Sequence, residues 1–178
     1  MATISQANVE PAAAPAVAPI LQELREEIPA TRRLLERVPG DKLAWKPHPK
    51  SRSLGELASH IAMIPGMAER VAKHDEFTAG TSATPIQGGI EGIRETFERN
   101  AKLADEMLSQ MTQQEALAEW RLLFNGREIF RMERAAVLRK TLLNHIYHHR
   151  GQLSVYLRLL DVSVPMVYGP TADENPFA

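Results

Sequence analysis

The chain has no cysteine, no excess of basic charge and no long apolar run, and each absence excludes a class of function. Without cysteine there are no disulfides, thiolate metal ligands or cysteine nucleophiles, so a metal site must use nitrogen or oxygen ligands. A formal net charge of −1 lacks the basic field that drives nonspecific phosphate binding, which argues against nucleic acid as a partner. No apolar run approaches the roughly 20 residues that cross a bilayer, so we expect no membrane partner.

The N-terminal segment differs in composition from the remainder of the chain. Residues 1–17 contain no lysine or arginine and are rich in alanine and proline, so they lack the positive start and apolar stretch of a secretory signal. We interpret residues 1–17 as a disordered tail of a cytoplasmic protein. The 178 residues are 44% hydrophobic, which is enough for one core, and residues 18–178 are therefore expected to form a single domain.

Apolar residues recur at intervals of three and four in four segments, which predicts four amphipathic helices. These run from about Ala18 to Val38, Leu54 to Phe77, Ile90 to Met111 and Glu133 to Asp161. Pro29 should kink the first helix or loosen its first turns, and Pro65 should bend the second. Ser53 and Glu56 have the spacing of a capping box at the start of the second helix.

A different period precedes the last helix. Trp120, Leu122 and Phe124 occupy alternate positions, Asn125-Gly126 is a strong hairpin turn signal, and residues 127–132 can return as a second strand. This pattern predicts a small hairpin, or an irregular extended excursion. With four helices elsewhere, we expect the fold class to be all-α.

Three of the six histidines lie within five residues of the last predicted helix. His145 and His149 are spaced i,i+4, so both rings can reach one metal ion, although geometry alone does not exclude the i,i+3 pair of His145 and His148. We prefer His149 because it shares a seam with apolar residues of the helix. The spacing is that of the zincin motif H-E-x-x-H, but Ile146 occupies the position of its general-base glutamate, so a protease of that type is not expected.

His60 lies on the apolar stripe of the second predicted helix. A lone histidine there is more often a hydrogen-bonded core residue than a ligand. The His145/His149 pair reverses that preference, because a third imidazole on a facing helix completes a three-nitrogen site. Such a site leaves a coordination position open, as catalytic sites do, and zinc or nickel is the expected divalent metal.

The last predicted helix also suggests a pocket and an interface. Gln152 and Tyr156 follow His149 on the same seam and could line a substrate pocket as hydrogen-bond donors, or simply pack with polar tips. A second apolar stripe lies beside the seam, and we expect either a homodimer contact or additional core there. The second stripe comprises Leu143, Ile146, Leu153, Leu157 and Leu160.

Four segments of the chain resemble the DinB family of the DinB/YfiT-like superfamily, which is unrelated to the translesion polymerase of the same name. They are W-K-P-H-P at Trp45 to Pro49, S-L-G-E-L-A-S-H-I-A at Ser53 to Ala62, N-H-I-Y-H-H-R-G-Q-L-S-V-Y-L-R at Asn144 to Arg158, and Y-G-P-T-A-D-E at Tyr168 to Glu174. The resemblance implies an up-down-down-up four-helix bundle, commonly dimeric. It also implies a three-histidine metal site, here His60, His145 and His149.

The resemblance further implies a function, since characterised members of the superfamily include thiol-dependent S-transferases and a mycothiol-dependent isomerase. The leading hypothesis is therefore a metal-dependent transferase that uses a low-molecular-weight thiol as cofactor and acts on a small-molecule substrate. A hydrolase using a metal-activated water is one alternative, although no carboxylate base is evident on the metal seam. A non-catalytic metal-binding protein of the stress response is the alternative from a different class.

Overall fold

Helices make up most of the structure, a computed structural model that describes residues 13–80 and 86–177. Within these residues the helices are α1 (Ala18–Glu36), α2 (Leu54–Met63), α3 (Met67–Lys73), α4 (Gly89–Gln110), α5 (Gln113–Leu117), α6 (Arg134–Leu138) and α7 (Asn144–Leu159). The strands are β1 (Glu76–Ala79), β2 (Glu119–Phe124) and β3 (Arg127–Glu133). A π-helical turn, Arg139–Leu143, joins α6 to α7.

The first two predicted helices form close to their expected positions. α1 continues through Pro29 without interruption. α2 begins at the predicted capping box, in which the Glu56 N–H donates to Ser53 Oγ (3.1 Å) and the Ser53 N–H donates to Glu56 Oε2 (2.6 Å). The bend expected at Pro65 is confirmed, because a 3₁₀ turn at Ile64–Gly66 separates α2 from α3.

The all-α prediction needs correction, because the fold is mostly helical with a three-stranded sheet. The predicted hairpin is confirmed as β2 and β3, with Asn125 and Gly126 at positive φ (49° and 74°). The second predicted helix, however, ends at Lys73 rather than Phe77, and the chain then forms β1, which pairs in parallel with β2. Local periodicity could not show β1, since its partner lies about 45 residues away in the sequence.

Arg134 fixes the point at which α3 changes to strand. Its buried guanidinium donates to the backbone carbonyls of Val71 (2.8 Å) and His74 (3.3 Å) and to the Asp75 carboxylate (2.6 Å). Carbonyls at the end of a helix have no partner within the helix, so this arginine satisfies groups that α3 would otherwise leave unpaired.

Two apolar clusters form the core, and α7 contributes to both. One cluster joins the first half of α1, α3, the second half of α4, α6 and Trp120 of β2. The other joins the second half of α1, α2, the first half of α4 and the later turns of α7. Of the predicted tail, residues 1–12 lie outside the described residues, whereas Val17 is fully buried. In the described ranges, no helix combines the length and the apolar character that crossing a membrane requires.

Candidate metal centre

Three imidazoles meet where α2 faces α7. The rings of His60, His145 and His149 have centroids 4.5 to 4.9 Å apart, and Nε2 of His60 lies 3.1 Å from Nε2 of His145. One ring nitrogen from each residue lies within 4.8 Å of the others. All three side chains are partly buried, with His149 only 9% exposed. The structure therefore brings together the three residues that the sequence predicted as metal ligands.

Helices α2 and α7, which carry these rings, run in opposite directions. His60, in the last turns of α2, meets His145 at the start of α7, while the Tyr156 hydroxyl near the end of α7 donates to the Arg52 carbonyl just before α2 (3.2 Å). His145 and His149 are one turn apart and share a face. The site thus depends on the register between α2 and α7.

A wider helical turn precedes the site. Residues Arg139–Leu143 are π-helical, and the Asn144 N–H donates to the carbonyl of Arg139 instead of to that of Lys140. Such turns occur often at functional sites, because they rotate the following residues and leave a backbone carbonyl available. Here His145 forms a hydrogen bond with the backbone of Thr141, within this turn. The π turn therefore supports the orientation of a candidate ligand.

Each imidazole is neutral at neutral pH. The pKa of all three is lowered, with burial as the largest cause, and the pKa of His60 and of His149 is lowered to about 4. The neighbouring imidazoles contribute to this lowering, because a positive charge nearby disfavours a second one. A neutral imidazole has a free lone pair, which is the form that binds metal.

Two of the three rings, His149 and His145, also form hydrogen bonds to groups outside the cluster. The Oε1 atom of Gln152 lies 2.8 Å from Nδ1 of His149, and because a carbonyl oxygen accepts, Nδ1 carries the proton and Nε2 keeps the lone pair. His145 has its Thr141 bond in addition to the Nε2 contact with His60. Ligating histidines usually donate their second N–H in this way.

The donor set fits a divalent ion such as zinc. Two nitrogens bound to one tetrahedral zinc at about 2.05 Å are about 3.3 Å apart, close to the observed 3.1 Å between the Nε2 atoms of His60 and His145. Three imidazoles leave a tetrahedral ion with one position for a further ligand. The residues present are therefore compatible with an open, three-nitrogen metal site.

The other residues that the sequence predicted for this region lie outside the cluster of three imidazoles. His148 is exposed and lies outside the cluster of three, although its ring centroid is 4.7 Å from that of His149. Gln152 contacts His149 through its amide oxygen. Tyr156 packs edge-on against Trp45, with ring centroids 5.6 Å apart. Its hydroxyl reaches the backbone of Arg52 rather than an imidazole.

Two arginines near the site were not identified from the sequence. Arg52 is exposed, and its charge is among the causes that lower the pKa of all three imidazoles. Arg150 follows His149 directly and is buried, with Nη1 2.5 Å from Glu27 Oε2 on α1. For Arg150, the sequence did contain a signal. Glu27 lies beside the apolar stripe of α1, and a carboxylate buried there requires a cation as its partner. No signal in the sequence indicated Arg52.

Comparison with known proteins connects most of the chain to one group. A sequence model of the DinB family matches residues 15–175. The uncharacterized protein YrdA of Bacillus subtilis (strain 168) is 25% identical over 150 residues, which cover 83% of this chain and 85% of YrdA.

Solved structures show the same relationship. A DinB-like protein from Bacillus cereus ATCC 10987 has a TM-score of 0.65 and 27% identity, covering 83% of this chain and 95% of that protein. The DinB-like protein YjoA of B. subtilis has a TM-score of 0.65 and 21% identity, covering 89% of this chain and 99% of YjoA. The second likeness concerns the fold alone.

Proposed function

Because the chain belongs to the DinB family, we propose that it binds one divalent metal ion, zinc or nickel, through His60, His145 and His149 and acts as a metal-dependent thiol S-transferase. The observation that supports the proposal most directly is the cluster of three imidazoles with one ring nitrogen of each within 4.8 Å of the other two. When bound, the ion would lower the pKa of a small thiol and hold its thiolate.

The residues of the chain would orient the metal-binding imidazoles rather than form or break bonds themselves. Gln152 holds the His149 ring in the tautomer that directs Nε2 inward, and Thr141 supports His145. Partial burial of the three rings keeps them neutral and limits water around the site. Since the chain contains no cysteine, the nucleophilic sulfur would come from the cofactor.

The topology and the assembly belong to the same proposal. We infer an up-down-down-up four-helix bundle of α1, α2 with α3, α4, and α6 with α7, which is supported by the contacts of α1 and of α2 with both α4 and α7. A homodimer remains a prediction. Most of the second apolar stripe is buried in the core of the chain. The apolar residues of α7 that are exposed and could contact a second copy are Val155 and Leu159.

The test is a conjugation assay on protein purified without a His-tag and loaded with zinc or nickel. We expect metal-dependent transfer of a small thiol to an aryl halide, and we expect chelation or His149→Ala to reduce the rate to that without protein. His148→Ala, which removes an adjacent imidazole outside the cluster, should keep the activity. Metal-loaded protein that accelerates no thiol and electrophile pair in a panel would contradict the transferase and favour a non-catalytic metal-binding role.

A hydrolase is less well supported by the surroundings of the site. General-base catalysis on a bound water would use a carboxylate or a free histidine close to the ion. Among residues 13–80 and 86–177, the charged groups that act on the three imidazoles are other histidines and Arg52, without an aspartate or a glutamate. This electrostatic environment favours a ligand that brings its own negative charge.

A further inference from the structure

Glu23 of α1 holds the last helical segment at two points. Its Oε2 atom accepts a hydrogen bond from the Arg139 guanidinium, and its Oε1 atom accepts one from the Tyr147 hydroxyl. Arg139 is the first residue of the π turn, whereas Tyr147 lies in the first turn of α7. A single carboxylate, whose side chain is 31% exposed, therefore contacts residues on both sides of the π turn.

The π turn is what brings these two residues to one side of the helix. Successive residues of a regular α-helix are rotated by about 100°, so residues eight apart, such as Arg139 and Tyr147, would point about 80° apart. The π turn accommodates one additional residue, so the two are placed as if they were seven apart, within about 20° of one direction. Both side chains then face α1, and their bonds to Glu23 favour the π turn over a continuous α-helix.

The candidate ligand His145 lies inside the segment that Glu23 holds, two residues after the π turn. Its ring forms a hydrogen bond with the backbone of Thr141, the central residue of that turn. If the turn changed to regular α-helix, the residues after it would rotate by about 100° relative to α6. The His145 ring would then move relative to the His60 ring, whose Nε2 atom lies 3.1 Å from its own.

The other candidate ligand of α7, His149, has a separate attachment to α1. The next residue, Arg150, lies 2.5 Å from Glu27, which is one turn further along α1 than Glu23. Helix α1 thus holds α7 at two places, and the one at Glu23 is the nearer in sequence to His145. Loss of the contacts at Glu23 should therefore displace His145 and leave His149 in place.

We propose that Glu23 is a positioning residue of the three-histidine site: by holding both sides of the π turn, it keeps the His145 ring in contact with His60. The inference rests on the metal binding proposed above, and it adds a residue from α1, which carries none of the three histidines. Both oxygens of the Glu23 carboxylate are used by Arg139 and Tyr147, so Glu23 acts through the helix and not as a ligand.

Glu23→Ala removes both bonds and should weaken zinc binding about tenfold. This is the lower end of the range for groups that orient a ligand, because Glu23 does not contact the His145 ring itself. Glu23→Gln keeps one acceptor oxygen and should recover part of the affinity. Tyr147→Phe, which loses only a hydroxyl, should weaken binding in the native chain but not in Glu23→Ala, because the two side chains act as one unit.

Two measurements test the inference. Competition with a chromophoric chelator gives the zinc affinity, and long-range proton–nitrogen NMR of the metal-free protein gives the tautomer of each histidine ring. Glu98→Ala is the matched control, because Glu98 accepts from Arg32 (2.6 and 2.8 Å) and so joins α1 to α4 instead of to α7. Urea unfolding establishes that Glu23→Ala and Glu98→Ala are folded and how far each loses stability.

The outcomes separate the inference from the function on which it rests. Support is an affinity about tenfold lower in Glu23→Ala and native in Glu98→Ala, with the tautomer population changed at His145 and unchanged at His149. Native affinity in Glu23→Ala, an equal loss in Glu98→Ala, or unchanged His145 signals overturn the inference and leave the metal site standing. A native chain that binds no zinc contradicts the proposed function, and the His145 signals then decide whether Glu23 holds that ring.

Discussion

At the scale of single residues, the three candidate ligands are all histidines, but a different contact holds each of them in place. His149 depends on Gln152, one turn later on α7, whereas His145 depends on the backbone of the π turn and His60 on burial between the helices. A side-chain partner can be removed without changing the fold, while a backbone partner cannot. The contribution of ring orientation to metal binding is therefore measurable at Gln152.

Gln152→Ala should weaken metal binding by about 10- to 100-fold, because the His149 ring loses the acceptor that fixes its tautomer and orientation. Competition with a chromophoric chelator measures the affinity. Gln152→Glu keeps an acceptor at this position and should preserve binding. The control is Gln110→Ala, an exposed glutamine at the end of α4. Equal affinity in the native chain and in Gln152→Ala would show that Gln152 does not position His149.

At the scale of elements, a buried ion pair joins α7 to α1 next to the candidate metal centre. Arg150 lies 2.5 Å from Glu27, and the two side chains are 4% and 10% exposed. The Tyr168 hydroxyl donates to Glu27 (2.9 Å) and accepts from Arg150, so the C-terminal segment completes the network. Removing one charge would leave the other buried without its partner.

Glu27→Ala should lower the free energy of unfolding of the metal-free protein by about 3–5 kcal/mol, because Arg150 would remain buried and unpaired. The double variant Glu27→Leu with Arg150→Met removes both charges and fills the space, and it should lose much less stability. Urea unfolding followed by circular dichroism measures both. Equal losses in the single and the double variant would contradict the importance of pairing and point to packing alone.

At this scale, the features that the sequence predicted most directly are those that lie within one helix. The spacing of His145 and His149, the apolar seam of α7 and the capping box of Ser53 and Glu56 are local patterns, and the structure reproduces them. The strand β1, the Arg150–Glu27 pair and the position of Arg52 depend on contacts between segments 40 to more than 100 residues apart. Local periodicity contains no information about such contacts.

At the scale of the whole molecule, the C-terminal segment is attached to α1 and α7 by pairs of polar contacts. Asp173 accepts from Arg158 and from the Val164 N–H (2.9 Å). Glu174 accepts from Arg37 (3.1 Å) and from the Met166 N–H (2.8 Å). The carboxylates at the end of the predicted family motif therefore hold this segment in place.

Helices distant in sequence meet at the cluster, since His60 and His145 are 85 residues apart. A metal ion there would connect α2 to α7 directly. The same three side chains could otherwise form a hydrogen-bonded core network, as a lone core histidine does, because 3.1 Å is also a hydrogen-bond distance. Metal binding is thus the central claim on which the proposed function and the further inference both depend.

The most direct test of this claim is the metal content of protein purified without a His-tag, measured by mass spectrometry for the native chain and for His60→Ala, His145→Ala, His148→Ala and His149→Ala. We predict about one zinc or nickel ion per chain in the native protein and in His148→Ala, because three imidazoles form the site. Each of the other three variants should lose the ion. A native chain without metal after reconstitution with zinc and with nickel would contradict the account and identify the cluster as a core network.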